Sequence, residues 1–372
     1  MDAKAFNARL KACSTRDEKV ALLDAHGEEL FGKGSYAEAA RCYDQALLLE
    51  KKPNARAYYA GRVGICHYNA GRDREAQQYL LKSTRLFEPD QPEFMADMYG
   101  FVHFHLGSLF EYLGKTAKSL EARRVCEQYV ESQEKDTQWM LYAGMSRNYE
   151  ALGKHDLAIR YSQKAIQVLS DNDPSLAYLY ESMGNNYLGL KQYPDAIKAF
   201  SKVLELDPKF VRREDIYLKL ADCYQKQTNN KLALETYQKM LELRQLTGKR
   251  EGVIWLYLKI ALCHFHLEQY EKSLIVTLEA LRRQPRDKQE RAEVRSFLTN
   301  NYYELGRYRD AVTEGEKTLK LARRFPNDNL FYVRMALGCH KLSDKKAFAR
   351  YRKLFSRLFP EDSWNSYLEK LG

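Results

Sequence analysis

Along this chain a small residue is followed three places later by an aromatic, and nine places after that by an alanine or serine. The clearest copy is "MGNNYLGLKQYPDAIKAF", Met183 to Phe200. Tyr180, Met183, Gly184 and Tyr187 fall at i, i+3, i+4 and i+7, so they share one face of a helix. Ala196, Phe200 and Val203 mark the buried face of a second helix, and Lys191–Pro194 supplies the turn between them. The pattern therefore predicts a helical hairpin.

The closing small residue recurs at Ala39, Ala76, Ser119, Ala158, Ala196, Ala233, Ser273 and Ala311, with a weaker ninth copy at Ala347. The gaps are 37, 43, 39, 38, 37, 40, 38 and 36 residues, a period that marks a stack of helical hairpins. The slot held by Gly184 is filled by Gly27, Gly64, Gly107, Ser146, Ala221, Ala261 and Thr299 in the other strong copies. Small residues at both positions suit helices that cross closely, because a larger side chain would force the axes apart.

These residues resemble the tetratricopeptide repeat, whose signature appears here as Met183-Gly184-x-x-Tyr187, Ala196, Phe200, Val203 and Pro208. The resemblance spans roughly residues 20–360. It implies an all-α, right-handed superhelical α-solenoid of about nine helix-turn-helix units, with an N-terminal capping helix over residues 1–19 and a short C-terminal one over 361–372. Two features depart from the family pattern. The period exceeds the usual ~34 residues, and Tyr142, Tyr180, Tyr217 and Tyr257 replace the family's position-four tryptophan. The widest gap contains "FEPDQPEF" (Phe87 to Phe94), whose two prolines suit an extended loop between units better than a domain boundary.

Composition is that of an ordinary folded chain: 372 residues, 45% hydrophobic and 30% charged. No apolar run has the length to span a bilayer, and the start "MDAKAFNARLKACS" lacks the apolar core of a secretory signal. Seven cysteines, an odd number, speak against a disulfide framework and for a reducing cytoplasm. Net charge is +10, and its location matters more than its size. Residues 1–243 carry 34 basic and 34 acidic side chains, whereas 244–372 carry 26 and 16. This asymmetry favours an acidic partner and raises nucleic acid as a lesser alternative. In Lys345–Phe359, however, Ala347, Phe348, Tyr351, Leu354, Phe355 and Leu358 form an apolar stripe with cations around the remainder, as an exposed amphipathic helix requires.

Candidate chemistry is sparse. Cys66-His67, Cys263-His264 and Cys339-His340 are adjacent pairs, and neighbouring helical residues diverge by about 100° and do not readily share one ion. Cys66, Cys223 and Cys263 also occupy one repeat position, and His67 and His264 stand where other units have tyrosine. There is no CxxC or HExxH spacing, no GxSxG elbow, and "GKGS" (Gly32 to Ser35) lacks the spaced glycine of a phosphate loop. No metal or cofactor is expected, and the pattern points to a binding scaffold rather than an enzyme.

The family resemblance further implies a concave wall of first helices, with repeat positions 2, 5, 9 and 12 facing a ligand. Carried onto this chain, it selects Phe104, Arg147, Tyr178, Asn185, Trp255, Phe265, Asn300 and Tyr303 as candidate peptide-binding residues. Asparagine offers a donor and an acceptor to a peptide backbone, arginine can hold a carboxylate with two bonds, and aromatics can anchor apolar side chains. Chaperone-binding members pair a lysine at position 5 with an asparagine at position 9. Here the position-5 partners are Glu181 and Ser296, which argues against capture of a chaperone C-terminus. Length and long repeats also resemble bacterial peptide receptors of the Rap type, but only about one helix precedes the first unit here, where those carry a three-helix bundle. The expected function is a protein-protein interaction adaptor binding a peptide or helix of a partner. The alternatives are a peptide-sensing regulator that changes solenoid pitch and nucleic-acid binding through the basic C-terminal third.

Overall fold

Each copy of the pattern folds as two helices joined by a tight turn. The computed structural model describes residues 3–91, 93–209, 211–285, 287–322 and 329–371. Met1, Asp2 and Gly372 of the expected terminal helices, and Pro92 of the long loop, lie outside the described residues. The helices fall into two compact units divided between Asp207 and Pro208, a division that the even period does not announce.

The first unit opens with α1 (Ala3–Ala12) and continues as five hairpins. These are α2 (Arg16–Gly32) with α3 (Tyr36–Leu49), α4 (Pro53–Asn69) with α5 (Asp73–Leu86), and α6 (Ala96–Tyr112) with α7 (Thr116–Gln128). The other two are α8 (Lys135–Ala151) with α9 (His155–Val168), and α10 (Ser175–Gly189) with α11 (Tyr193–Leu206). The second unit pairs α12 (Arg213–Lys226) with α13 (Asn230–Thr247), and α14 (Val253–His266) with α15 (Tyr270–Arg282). It continues with α16 (Lys288–Glu304) and α17 (Tyr308–Leu321), α18 (Asn329–Lys341) and α19 (Lys345–Leu358), and closes with α20 (Trp364–Lys370). No strand occurs among the described residues.

The turn inside each hairpin has one construction. A residue with positive φ follows the first helix at Gly34, Gly71, Gly114, Gly153, Lys191, Thr228, Glu268, Gly306 and Ser343. The next amide then donates back across the turn, as Lys115 does to Phe110 O at 2.7 Å, Gln192 to Tyr187 O at 2.9 Å and Asp344 to Cys339 O at 3.0 Å. This is the six-to-one bond of a Schellman cap, which satisfies a carbonyl the helix end leaves open. The recurrent aromatic of the sequence pattern is the residue that accepts it in most copies.

Both small positions of the pattern are buried where the two helices cross. Gly27, Gly64, Gly107, Ser146, Gly184, Ala221, Ala261 and Thr299 all lie in the interior. The first-helix slot makes room for the side chain sixteen residues later: a Cβ added at Gly184 would lie 2.5 Å from the Phe200 ring. Where serine replaces alanine at a crossing, its hydroxyl bonds to the facing backbone. Ser119 Oγ donates to Gly107 O at 2.7 Å, Ser146 Oγ to Ala158 O at 2.8 Å, and Ser273 Oγ to Ala261 O at 2.9 Å. The buried hydroxyl therefore costs little, because its hydrogen bond is made inside the crossing.

The last hairpin departs from the sequence reading by one residue. In every hairpin the closing residue stands five places after the positive-φ residue, and five places after Ser343 stands Phe348. Phe348 is buried, with Ala336 as the facing small residue, whereas Ala347 is only half-buried. The stripe expected on this helix is present, with Phe348, Tyr351 and Phe355 in the core.

Within the first unit α4, α6, α8 and α10 lie side by side as one layer, and α14, α16 and α18 do the same in the second. The second helices pack between consecutive first helices from the other side. Six of the seven cysteines are buried and Cys13 is half-exposed. Burial pushes the thiols of Cys66 and Cys126 up to about 12, and those of Cys223, Cys263 and Cys339 up to about 11. Among the described residues no helix is long and apolar enough to cross a membrane.

Candidate peptide-binding wall

The buried slot turns one side of each first helix toward its own partner. Residues six and three before the slot, and one and four after it, lie roughly 40–120° around the helix from it. These are the positions that the family resemblance assigns to a ligand, and the eight expected site residues stand at them in two sets.

In the first unit the set lies on α6, α8 and α10. Phe104 is not on the open wall: it is buried against Phe101, with ring centroids 6.2 Å apart, and against His105 at 5.4 Å. His105 is itself enclosed by Phe101 and by Tyr68, and neither of its ring nitrogens has a hydrogen-bond partner. Burial pulls its pKa down to about 4. Arg147 is half-exposed but already engaged. Its Nε donates to Glu111 Oε1 at 2.7 Å and its Nη2 to Glu111 Oε2 at 3.3 Å. Tyr178 is exposed. Asn185 is half-buried and makes no side-chain hydrogen bond among the described residues.

Glu111 also receives Arg123, a pairing that the sequence reading did not anticipate. Arg123 stands sixteen residues after Gly107, where the equivalent side chains are Tyr43, Leu80, Phe200 and Tyr237. It is 1% exposed, and its Nη1 also donates to Gly144 O at 2.9 Å and to Ser119 Oγ at 3.0 Å. Gly144 leaves the space, since a Cβ there would meet the guanidinium at 2.4 Å. Burial lowers the Arg123 pKa despite the carboxylate. Glu111 stays below its usual range: burial opposes this, but hydrogen bonds and charge from Arg147 and Arg123 prevail. A repeat-aligned reading could have found both residues. Glu111 holds the same place after its slot as Phe265 and Tyr303, and an arginine in an apolar column stands out.

In the second unit the set lies on α14 and α16. The Trp255 ring is 37% exposed, meets Tyr237 edge-on at 5.9 Å and carries the Lys259 ammonium at 5.4 Å. Phe265 is half-buried between Tyr270 (5.1 Å) and Phe297 (6.3 Å), with the Arg334 guanidinium 5.2 Å from its ring. Arg334 in turn bonds Glu304 Oε1 through Nε at 3.0 Å and Nη2 at 2.8 Å, which joins α14, α16 and α18. Tyr303 packs on Tyr308 at 5.5 Å, and burial raises its pKa. Asn300 is buried, and its Oδ1 has no hydrogen-bond partner. These positions thus include a half-exposed indole and paired charges. Among the described residues no three His, Cys, Asp or Glu side chains come together as a metal cluster.

Comparison with known proteins agrees with this architecture. A family model described as tetratricopeptide repeat matches residues 136–209 and 212–286, and a second of the same description matches 25–91. The photosystem I assembly protein Ycf3 of Rippkaea orientalis is 35% identical over 71 residues, covering 19% of this chain and 40% of that protein. Among solved structures, a signal transduction ATPase with a tetratricopeptide repeat sensor from Pyrococcus horikoshii is similar with a TM-score of 0.50 and 16% identity. That match covers 90% of this chain and 54% of the other. The apo form of RapI matches with a TM-score of 0.49 and 13% identity, over 92% and 98% of the two chains. At 16% identity the likeness to the Pyrococcus protein speaks to the fold alone. With the repeated hairpins, the crossing slots and the family models in agreement, the chain belongs to the tetratricopeptide-repeat family, whose repeats serve as protein-protein interaction scaffolds.

Proposed function

We propose that this protein is a non-enzymatic adaptor whose first-helix walls capture a peptide segment or helix of a partner protein. The observation that carries the reading is Asn185, a half-buried amide on the wall whose side chain makes no hydrogen bond among the described residues. A hydrogen bond from such an amide to a peptide backbone is worth roughly 0.5–1.5 kcal/mol net. Asn300 holds the same position in the second unit; Tyr178 in the first unit and Trp255, Phe265 and Tyr303 in the second add aromatic side chains at wall positions. Large aromatic anchors beside fixed hydrogen-bonding groups are the usual composition of an interface centre. The name of the Rippkaea relative, an assembly protein, is consistent with such a role.

Affinity purification from the source cells, with quantitative comparison of wild type and the Asn185→Ala/Asn300→Ala variant, tests the proposal. Loss of specific partners in the variant supports it, and unchanged recovery counts against the wall as the binding surface. A second reading, nucleic-acid binding through the basic C-terminal third, draws on α19, which carries six cations and no carboxylate. It requires retention of RNA or DNA at low salt that falls steeply as salt rises.

A further inference from the structure

The second unit contains a cleft that the repeat pattern does not supply. α13 is 18 residues long where the other second helices have 13 or 14, so it overhangs by about one turn. It ends at Gly248 with φ 68°, and the chain returns to α14 through Gly252 with φ 65°. A side chain at Gly252 would collide with Arg244, whose Nη1 lies 2.3 Å from the position of an added Cβ. Arg244 is held there by the Glu214 carboxylate and the Glu251 carbonyl. The result is a cleft of about 590 Å³ with Leu218 and Trp255 as its apolar side and Arg244, Lys249 and Arg250 as its cations, which exceed its two carboxylates, Glu214 and Glu251, by one. That volume lies within the ~300–1,000 Å³ of ordinary ligand sites.

We infer that this cleft takes an acidic side chain of the captured peptide together with an apolar neighbour in its sequence. The inference rests on the peptide-capture reading and names the chemistry of the ligand. The charge balance carries it. Glu214 is occupied from both sides, by Arg244 and by Lys249 Nζ at 3.2 Å. Arg250 is exposed and has no ion pair among the described residues, so a cation is available at the mouth. Lys249 is 65% exposed and held by a single contact, free to share a second carboxylate. The surroundings favour the same sign: residues 208–372 hold 33 basic and 21 acidic side chains, a net +12, against 27 and 29, a net −2, in residues 1–207. An excess of this kind draws an anionic ligand toward the unit before contact. Trp255 and Leu218 then hold an apolar side chain next to the carboxylate, which a simple polyanion does not offer.

The test uses the full chain on an array of random immobilised dodecapeptides, with wild type, Lys249→Glu/Arg250→Glu and Trp255→Ala compared. Both cations are exposed, so the charge-reversal variant folds as wild type does, which circular dichroism checks. Wild type is expected to select peptides with Asp or Glu within two residues of Leu, Phe or Trp. Charge reversal is expected to weaken those spots by about tenfold, the effect of roughly 1.4 kcal/mol, and to favour basic peptides instead. Trp255→Ala is expected to weaken the same spots without inverting the charge preference. Selection of neutral peptides, indifference to charge reversal, or equal competition by polyglutamate lacking apolar residues overturns the inference. If peptides bind in a manner that needs Asn185 and Asn300 but ignores Lys249, Arg250 and Trp255, the cleft assignment fails while peptide capture stands. If no peptide binds, both fall.

Discussion

The pairing of the buried Arg123 on α7 with the half-buried Glu111 on α6 gives a sharp test of how this interior is balanced. Glu111→Ala removes the carboxylate that faces Arg123, a guanidinium only 1% exposed. Arg147 loses the same carboxylate but is 55% exposed and returns to water at little cost. Stranding a buried charge by removing its partner typically costs 3–5 kcal/mol, so that is the expected destabilisation. Arg123→Met removes the buried charge itself. Glu111 keeps both bonds from Arg147, and Ser119 keeps its bond to Gly107 O. The remaining loss is the contacts with Gly144 O, Ser119 Oγ and Asn148, which we put at about 1–2 kcal/mol. The double variant should cost little more than Arg123→Met alone, so the coupling nearly equals the cost of Glu111→Ala, roughly 3–5 kcal/mol. Repeat proteins unfold by parts, so global denaturation is a blunt assay. Hydrogen exchange of amides in α6, α7 and α8, followed by mass spectrometry, reads the local opening energy directly. If Glu111→Ala costs no more than Arg123→Met, or if the two effects simply add, the charge of Arg123 is satisfied by its neutral neighbours and the reasoning fails.

Two further outcomes follow from local geometry. His105 titrates near 4 in the fold and near 6.5 when unfolded, so the unfolded chain binds the extra proton as pH falls between those values. Its stabilising contribution is full above 6.5 and declines toward 4, by about 2 kcal/mol at pH 5. His105→Leu should therefore flatten the loss of melting temperature between pH 7 and pH 5, and an unchanged slope would show that the ring is not protonated on unfolding. Thr228 is a β-branched residue at φ 56°, where Gly34, Gly71 and Gly306 serve elsewhere. Thr228→Gly relieves roughly 1–2 kcal/mol of left-handed strain and loses about 0.4–1 kcal/mol to unfolded-chain entropy. A net gain of about 0.5–1 kcal/mol is expected in thermal melts; a lower melting temperature would contradict it.

The hairpins were legible in the sequence because their determinants are local. A small slot, a residue sixteen places on and a turn between them are all set within one copy, as Gly184, Phe200 and Lys191 illustrate. The last copy slipped by one residue for a physical reason. Phe348 fills a position held by alanine or serine elsewhere, and an alanine, Ala347, stands beside it one place off the crossing. The wall was legible as a set of positions but not as a set of free side chains. Phe104 is turned into the core by Phe101 and His105, and Arg147 is taken by a glutamate on the neighbouring first helix. Both depend on partners from other segments, which periodicity does not encode. The cleft beside Trp255 depends on two left-handed glycines and one arginine returning to its own loop, a geometry no spacing rule supplies.

The distribution of thiols has a practical corollary. Six cysteines are shut in the interior, five of them with proton affinities that keep them out of the thiolate form at neutral pH, while Cys13 sits between α1 and α2 in partial contact with solvent. Maleimide chemistry requires a reachable thiolate, so under native conditions a dye should attach at Cys13 ahead of all others. The unaltered chain thereby carries its own labelling handle, remote in sequence from Asn185, Trp255 and Asn300, for following ligand association by fluorescence anisotropy.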